Sequence, residues 1–93
     1  MEIELEQLAA KGSFYVEENN ERLAEMTFSK AGAEVIIIDH TIVSDSLRGK
    51  NIGKQLVAAA VDYARKNKIK ILPLCPFAKS VFDSVKEYAD VLR

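Results

Sequence analysis

Apolar and polar residues alternate with a period of two through SFYVEENNERLAEMTFSK: Phe14 and Val16 against Tyr15 and Glu17, then Ala24, Met26 and Phe28 against Glu25 and Thr27. That alternation predicts two strands, each with one covered face. Asn19-Asn20 between them tolerates positive φ and predicts a tight hairpin turn. Ala31-Gly32 predicts a second turn, followed by EVIIIDHTIV, residues 34 to 43. Here Val35, Ile37 and Thr41 share one side and Ile36, Ile38 and Ile42 the other, which predicts a central strand covered on both faces. From Ile52 to about Lys66 the period lengthens. Ile52, Leu56, Ala59, Ala60 and Tyr63 fall at helix spacing, and Val57, Val61 and Ala64 widen the stripe. Arg65, Lys66 and Lys68 close it, where positive charge suits the helix dipole. KILPLC predicts a short strand, and FAKSVFDSVKEYADVL returns to helix spacing through Ala78, Val81, Phe82, Val85 and Ala89. Residues 1 to 12 carry the weakest pattern and read as a lead-in or a short helical turn ending at Gly12.

The order predicts an α/β fold on a mixed sheet of about four strands. An antiparallel meander leads into a parallel β-α-β unit through a right-handed crossover, a C-terminal helix closes the chain, and helices cover the sheet's faces. No linker or repeat divides residues 1 to 93, which predicts one domain. Composition adds exclusions. Hydrophobic residues are 48% and charged residues 29%, and the formal charge of −1 gives no global pull toward nucleic acid or an anionic membrane. The basic run Arg65 to Lys68 lacks neighbouring aromatics for base stacking. No apolar run approaches the roughly 20 residues that span a bilayer, and the acidic N-terminus does not read as a secretory signal. One cysteine and one histidine argue against a disulfide or a structural metal, so a reducing, cytoplasmic setting is the expectation.

The chemistry concentrates in SLRGKNIGKQL, residues 46 to 56, where glycines and basic residues precede the Ala-rich helix. A loop opening a helix presents unpaired amides at the positive end of the dipole, an anion site in prospect. Glycine admits close approach and positive φ, and Arg48, Lys50 and Lys54 add charge. A plain sharp turn would need the same glycines. Neither GxGxxG nor GxxxxGK[ST] is present.

Arg48-Gly49-Lys50-Asn51-Ile52-Gly53 resembles the pyrophosphate loop of the GNAT acetyltransferase superfamily, Q/R-x-x-G-x-G/A. The likeness runs over about residues 13 to 90. HT-x-V, LRGK-x-IG, YAR and LCPFA resemble a minimal GNAT-like subfamily without the usual first two helices. The resemblance implies acetyl-CoA binding. Ile42 and Val43 would meet the pantetheine amides, and Arg48, Gly49, Lys50, Asn51, Ile52, Gly53 and Lys54 the pyrophosphate. Pro76 would stand in the same cofactor set, with the thioester near His40 and Cys75. Asn51 replaces the first loop glycine, and asparagine is the non-glycine residue best suited to a left-handed conformation. Phe82 stands where most members carry a tyrosine that protonates departing CoA thiolate, Cys75 replaces an asparagine, and Val85 replaces a subfamily histidine.

Cys75 reads as a buried hydrophobe or as a nucleophile activated by the helix that starts at Pro76. His40 reads as a hydrogen-bonded core histidine or as a general base. Glu34, Asp39 and Asp45 are alternative bases, and Tyr63 and Tyr88 fit packing faces. Two functions follow. One is an N-acetyltransferase moving acetyl from acetyl-CoA to an amine, with a small amine or a protein lysine as acceptor. The other is a CoA-binding sensor or adaptor with little turnover.

Overall fold

The computed structural model describes residues 2–93. Five strands form one mixed sheet in sequential order: β1 (Glu4–Gln7), β2 (Lys11–Glu18), β3 (Glu21–Lys30), β4 (Val35–Val43) and β5 (Lys70–Pro73). The first four are an antiparallel meander. β4 and β5 are parallel, joined through α1 (Ile52–Asn67). α2 (Pro76–Ser84) follows, and a 3-10 segment, Lys86–Val91, returns the chain so that Leu92 bridges to Ile71 on β5. Among the described residues no helix is long and apolar enough to cross a membrane.

The hairpin forms as its alternation predicts. Asn19 and Asn20 both adopt positive φ (53° and 65°), the geometry of a two-residue turn whose twist matches its strands. Phe14, Val16, Ala24, Met26 and Phe28 are all buried. The N-terminal segment differs from expectation. It is a strand, not a helical turn, and Gly12 lies inside β2. All four β1 residues are exposed, so burial leaves no alternation to read. β1 is held by its ladder to β2 and by close contact at Gly12, where an added Cβ would sit 2.6 Å from the Phe28 ring.

The last helix is shorter than its periodicity predicts. Ser84 Oγ bonds the Ser80 and Val81 carbonyls, and Val85 leaves helical space at φ −105°, ψ 92°. The tighter segment beyond still buries Val91 and sets Tyr88 edge-on to Phe82, with ring centres 5.8 Å apart. Arg65 of α1 ties this segment down through Asp90 at 2.9 Å.

β4 departs most from the sequence reading. Its pairing with β3 runs from Ala24↔Val43 to Thr27↔His40 and then jumps to Phe28↔Ile38, leaving Asp39 as a bulge. The extra residue reverses the alternation. Ile36 and Ile38 face the core, but so do Thr41 and Val43, while His40 and Ile42 face the other way. Ile42 is 69% exposed, so the strand is not covered on both sides.

Both helices also share one face instead of covering two. α1 and α2 pack on each other and on β4 and β5, and the shortest dimension, 21 Å, accommodates one sheet and one helix layer. The reason is visible in the strands. The side opposite Phe14, Met26 and Phe28 carries Tyr15, Glu25, Thr27 and Ser29, which need no apolar cover. Arg22 lies across it, 3.8 Å over the Tyr15 ring, bonding Ser13 Oγ at 3.1 Å and Glu6 at 2.9 Å.

Candidate functional site

The parallel strands part just where the chemistry begins. Ladder pairing ends at Ile38↔Pro73, and the Ile38 carbonyl accepts from the amides of both Leu74 and Cys75 at 3.1 Å. Beyond it, His40 to Val43 pairs with β3 alone. The opposite backbone edge of β4 lies open toward the gap.

The loop after β4 begins with a 3-10 turn, Asp45–Leu47, capped by the Ser44 hydroxyl. Leu47 is buried and anchors this otherwise polar stretch to the core. Arg48 pairs with Asp45 at 2.8 Å, but both side chains are largely exposed, so the pair adds little stability. Gly49 (φ 84°) and Asn51 (φ 56°) then turn the chain through left-handed conformations into α1. Asn51 adopts the conformation that the sequence assigns to it.

As N-cap, Asn51 makes no side-chain capping bond, and the Gln55 amide bonds the Lys50 carbonyl instead. Among the described residues, the first-turn amides of Ile52, Gly53 and Lys54 have no acceptor within the chain, and the turn holds no acid. Lys50 and Lys54 are exposed and form no ion pair among the described residues. Amides, dipole and the Lys54 side chain therefore gather at the start of α1, a place suited to an anion. Gly53 serves a contact of its own, because a Cβ there would lie 2.6 Å from the Phe77 ring.

These groups rim a cleft of about 410 Å³. Val43, Ile52 and Gly53 line it with Arg48, Gly49, Asn51 and Lys54, all assigned to cofactor contact by sequence. Ile42, Lys50 and Pro76 do not line it. Ile42 faces the other side of the sheet, Lys50 faces solvent, and Pro76 is the first residue of α2. Thr41, Leu47 and Phe77 complete the apolar wall and were missed. Simple alternation assigns Thr41 to the other face because it cannot register the bulge, and Phe77 stands at the start of the last helical segment but outside its apolar stripe.

Cys75 caps α2 at the edge of this region. It is 5% exposed, and its Sγ lies 3.4 Å from Thr41 Oγ1. Burial pushes the thiol up. The Thr41 hydroxyl, the Ala78 and Phe77 amides at the start of α2 and the Thr41 backbone pull it down further, so it settles below the ordinary thiol value. Thiolate, and hence reaction with a small alkylating agent, is expected at lower pH than for a free cysteine, whose midpoint is about 8.5. Thr41→Val should move that midpoint up and Thr41→Ser should leave it nearly in place. Identical profiles for all three proteins would exclude the Thr41 contribution.

His40 is exposed on the opposite face from Thr41, and no hydrogen bond joins it to Cys75 among the described residues. Phe82 is buried in the core against Tyr88, and neither lines the cleft.

A family model described as GCN5-related N-acetyl-transferase matches residues 13–91. An NMR solution structure of a GCN5-like protein from Staphylococcus aureus is 41% identical, with a TM-score of 0.72, over 97% of this chain and 87% of that one. A ribosomal-protein-alanine N-acetyltransferase from Brucella melitensis biovar Abortus 2308 shares the fold at 19% identity and a TM-score of 0.67, over 82% of this chain and 61% of that one. So does AAC(6')-Iy, solved with the bisubstrate analogue CoA-S-monomethyl-acetylneamine, at 15% identity and a TM-score of 0.56, over 92% of this chain and 64% of that one. No curated protein sequence matches.

Proposed function

Because the chain belongs to the GCN5-related N-acetyltransferase family, we propose that it binds acetyl-CoA in the cleft at the start of α1 and transfers the acetyl group to an amine. The observation that carries this reading is the set of first-turn amides of Ile52, Gly53 and Lys54 without an internal acceptor, facing a cleft with no acid in that turn. That donor set suits a diphosphate. Arg48, Lys50 and Lys54 would supply charge. The open edge of β4 at Ile42 and Val43 would offer main-chain groups to an amide-bearing arm, as a missing strand would. The coenzyme would supply a thioester-activated acetyl group.

The chain's own groups divide the remaining work across the gap between β4 and β5. Cys75, as thiolate, would take the acetyl group onto its Sγ, with the coenzyme departing as its thiolate and taking a proton from water. The amine then displaces Cys75, giving up a proton to His40 on the other face. The supports are the lowered thiol and the opposite orientations of Thr41 and His40 at the break in pairing.

Titration with CoA, followed by amide resonances, tests the binding step. Gly49, Gly53 and Cys75 are expected to shift saturably. Unmoved resonances at saturating CoA would overturn it. A second reading, a coenzyme-responsive adaptor without turnover, draws on Phe82, which offers no proton to a departing thiolate. Saturable CoA binding with no thiol release in the presence of any amine would favour that reading.

A further inference from the structure

With both helices on one side, the other side of the sheet is bare, and its surface is uneven in charge and polarity. Ile42 and Leu74 are 69% and 62% exposed, and they flank the place where β4 and β5 part. Half-buried Ile37 and Leu72, paired in register, continue the apolar strip. Next to it the surface turns acidic. Glu25 lies opposite Ile42 in the ladder, and Asp39 stands at the bulge. A groove of about 460 Å³ runs on from them past Thr27 and Ser29 to Glu6, with Lys11 at its far end.

The local cations do not balance these acids. Arg22 is shared among Glu6, Glu17 and Glu25. Asp39 receives the Ser29 hydroxyl at 2.7 Å and makes no ion pair among the described residues. The chain as a whole is near neutrality, and much of its positive charge lies on the coenzyme loop and the end of α1. The bare face therefore presents an apolar strip beside an acidic groove.

We propose that this face docks a basic, lysine-bearing polypeptide, which presents a lysine to the gap between β4 and β5. The proposal rests on the acetyl-transfer reading above and names its acceptor class. Flanking lysine or arginine residues lie along Glu25, Asp39 and Glu6, and apolar neighbours cover Ile42 and Leu74. The apolar strip separates a polypeptide from a free polyamine, which has charge for the groove and nothing for Ile42 and Leu74. His40 stands in the same strand, between the groove and the gap.

The test is a titration of the full chain with a short, unstructured lysine-rich peptide containing leucines, in parallel with an acidic peptide of the same length and with spermidine. Each is followed by amide resonances with and without saturating CoA. The lysine-rich peptide is expected to shift Glu25, Thr27, His40 and Ile42 and to weaken with added salt. Glu25→Gln combined with Asp39→Asn should raise its Kd by about three- to tenfold, the effect of losing two exposed charge contacts. The salt series on the unmodified protein gives the answer even if the double variant folds poorly. Peptide shifts confined to other surfaces, spermidine binding as tightly as the peptide, or face resonances that move with protein concentration alone would each overturn the proposal. Failure of CoA to shift Gly49 and Gly53 would instead overturn the coenzyme reading, and the peptide titration without CoA would still report on the face.

Discussion

The unmodified protein is expected to gain an acetyl-sized mass increase from acetyl-CoA, and a Cys75→Ala variant is expected to lack it while keeping CoA-dependent shifts at Gly49 and Gly53. The side chain is nearly fully buried and has one side-chain partner, Thr41, which is itself only half-buried and can turn to water. Removing the sulfur should therefore cost about 1 kcal/mol of stability, an ordinary value for a point substitution. Function should respond far more. If the acetyl group passes through sulfur, removing the nucleophile should lower turnover by about 10⁴-fold or more. Intact-mass measurement and thiol release separate the possibilities. A mass increase that persists in the variant places the acetyl group on another residue. Turnover that persists means direct transfer from coenzyme to amine, with Cys75 serving only as the cap of α2.

Phe28→Ala should have the largest effect on folding. Phe28 is 1% exposed, lies 5.4 Å from the Phe14 ring and 6.3 Å from the Tyr63 ring, and packs against Gly12 where β1 joins the sheet. Three strands and α1 meet on this one side chain. Truncation should cost about 3–5 kcal/mol, against a total stability of about 5–14 kcal/mol for a chain of this length. The expected fall in melting temperature is about 15–30 °C. A decrease of only a few degrees would show that the aromatic cluster is not the centre of the core. Because β1 buries nothing of its own, its amides should lose exchange protection before those of β4 in this variant.

What could be read from the sequence follows from where burial leaves a periodic trace. The β2–β3 hairpin was legible because every core position from Phe14 to Phe28 alternates, and two asparagines mark the turn. α1 was legible for the same reason at helical period. β1 was not, because four exposed residues held by backbone bonds leave no pattern in side-chain polarity. The end of α2 was overestimated because Val85 and Ala89 continue the helical spacing, while the Ser84 back-bonds that interrupt it leave no mark on hydrophobicity. Of the site, the loop from Arg48 to Lys54 was legible through its glycines and its left-handed asparagine. Thr41 and Phe77 were not, since each becomes a cleft residue only through a tertiary relation. One is the skipped position in the β3–β4 ladder and the other is the ring seated over Gly53.

The bulge at Asp39 makes this stretch sensitive to residue count. Removing Asp39 itself would delete only the unmatched position, leaving Thr41 and Val43 on the cleft side and His40 and Ile42 on the bare face. Removing Ile42 would instead swing Val43 outward and break the division of labour. A homologous chain one residue shorter here can thus retain the same two-sided layout. An alignment that puts its gap two or three residues too late would credit the wrong side with the chemistry.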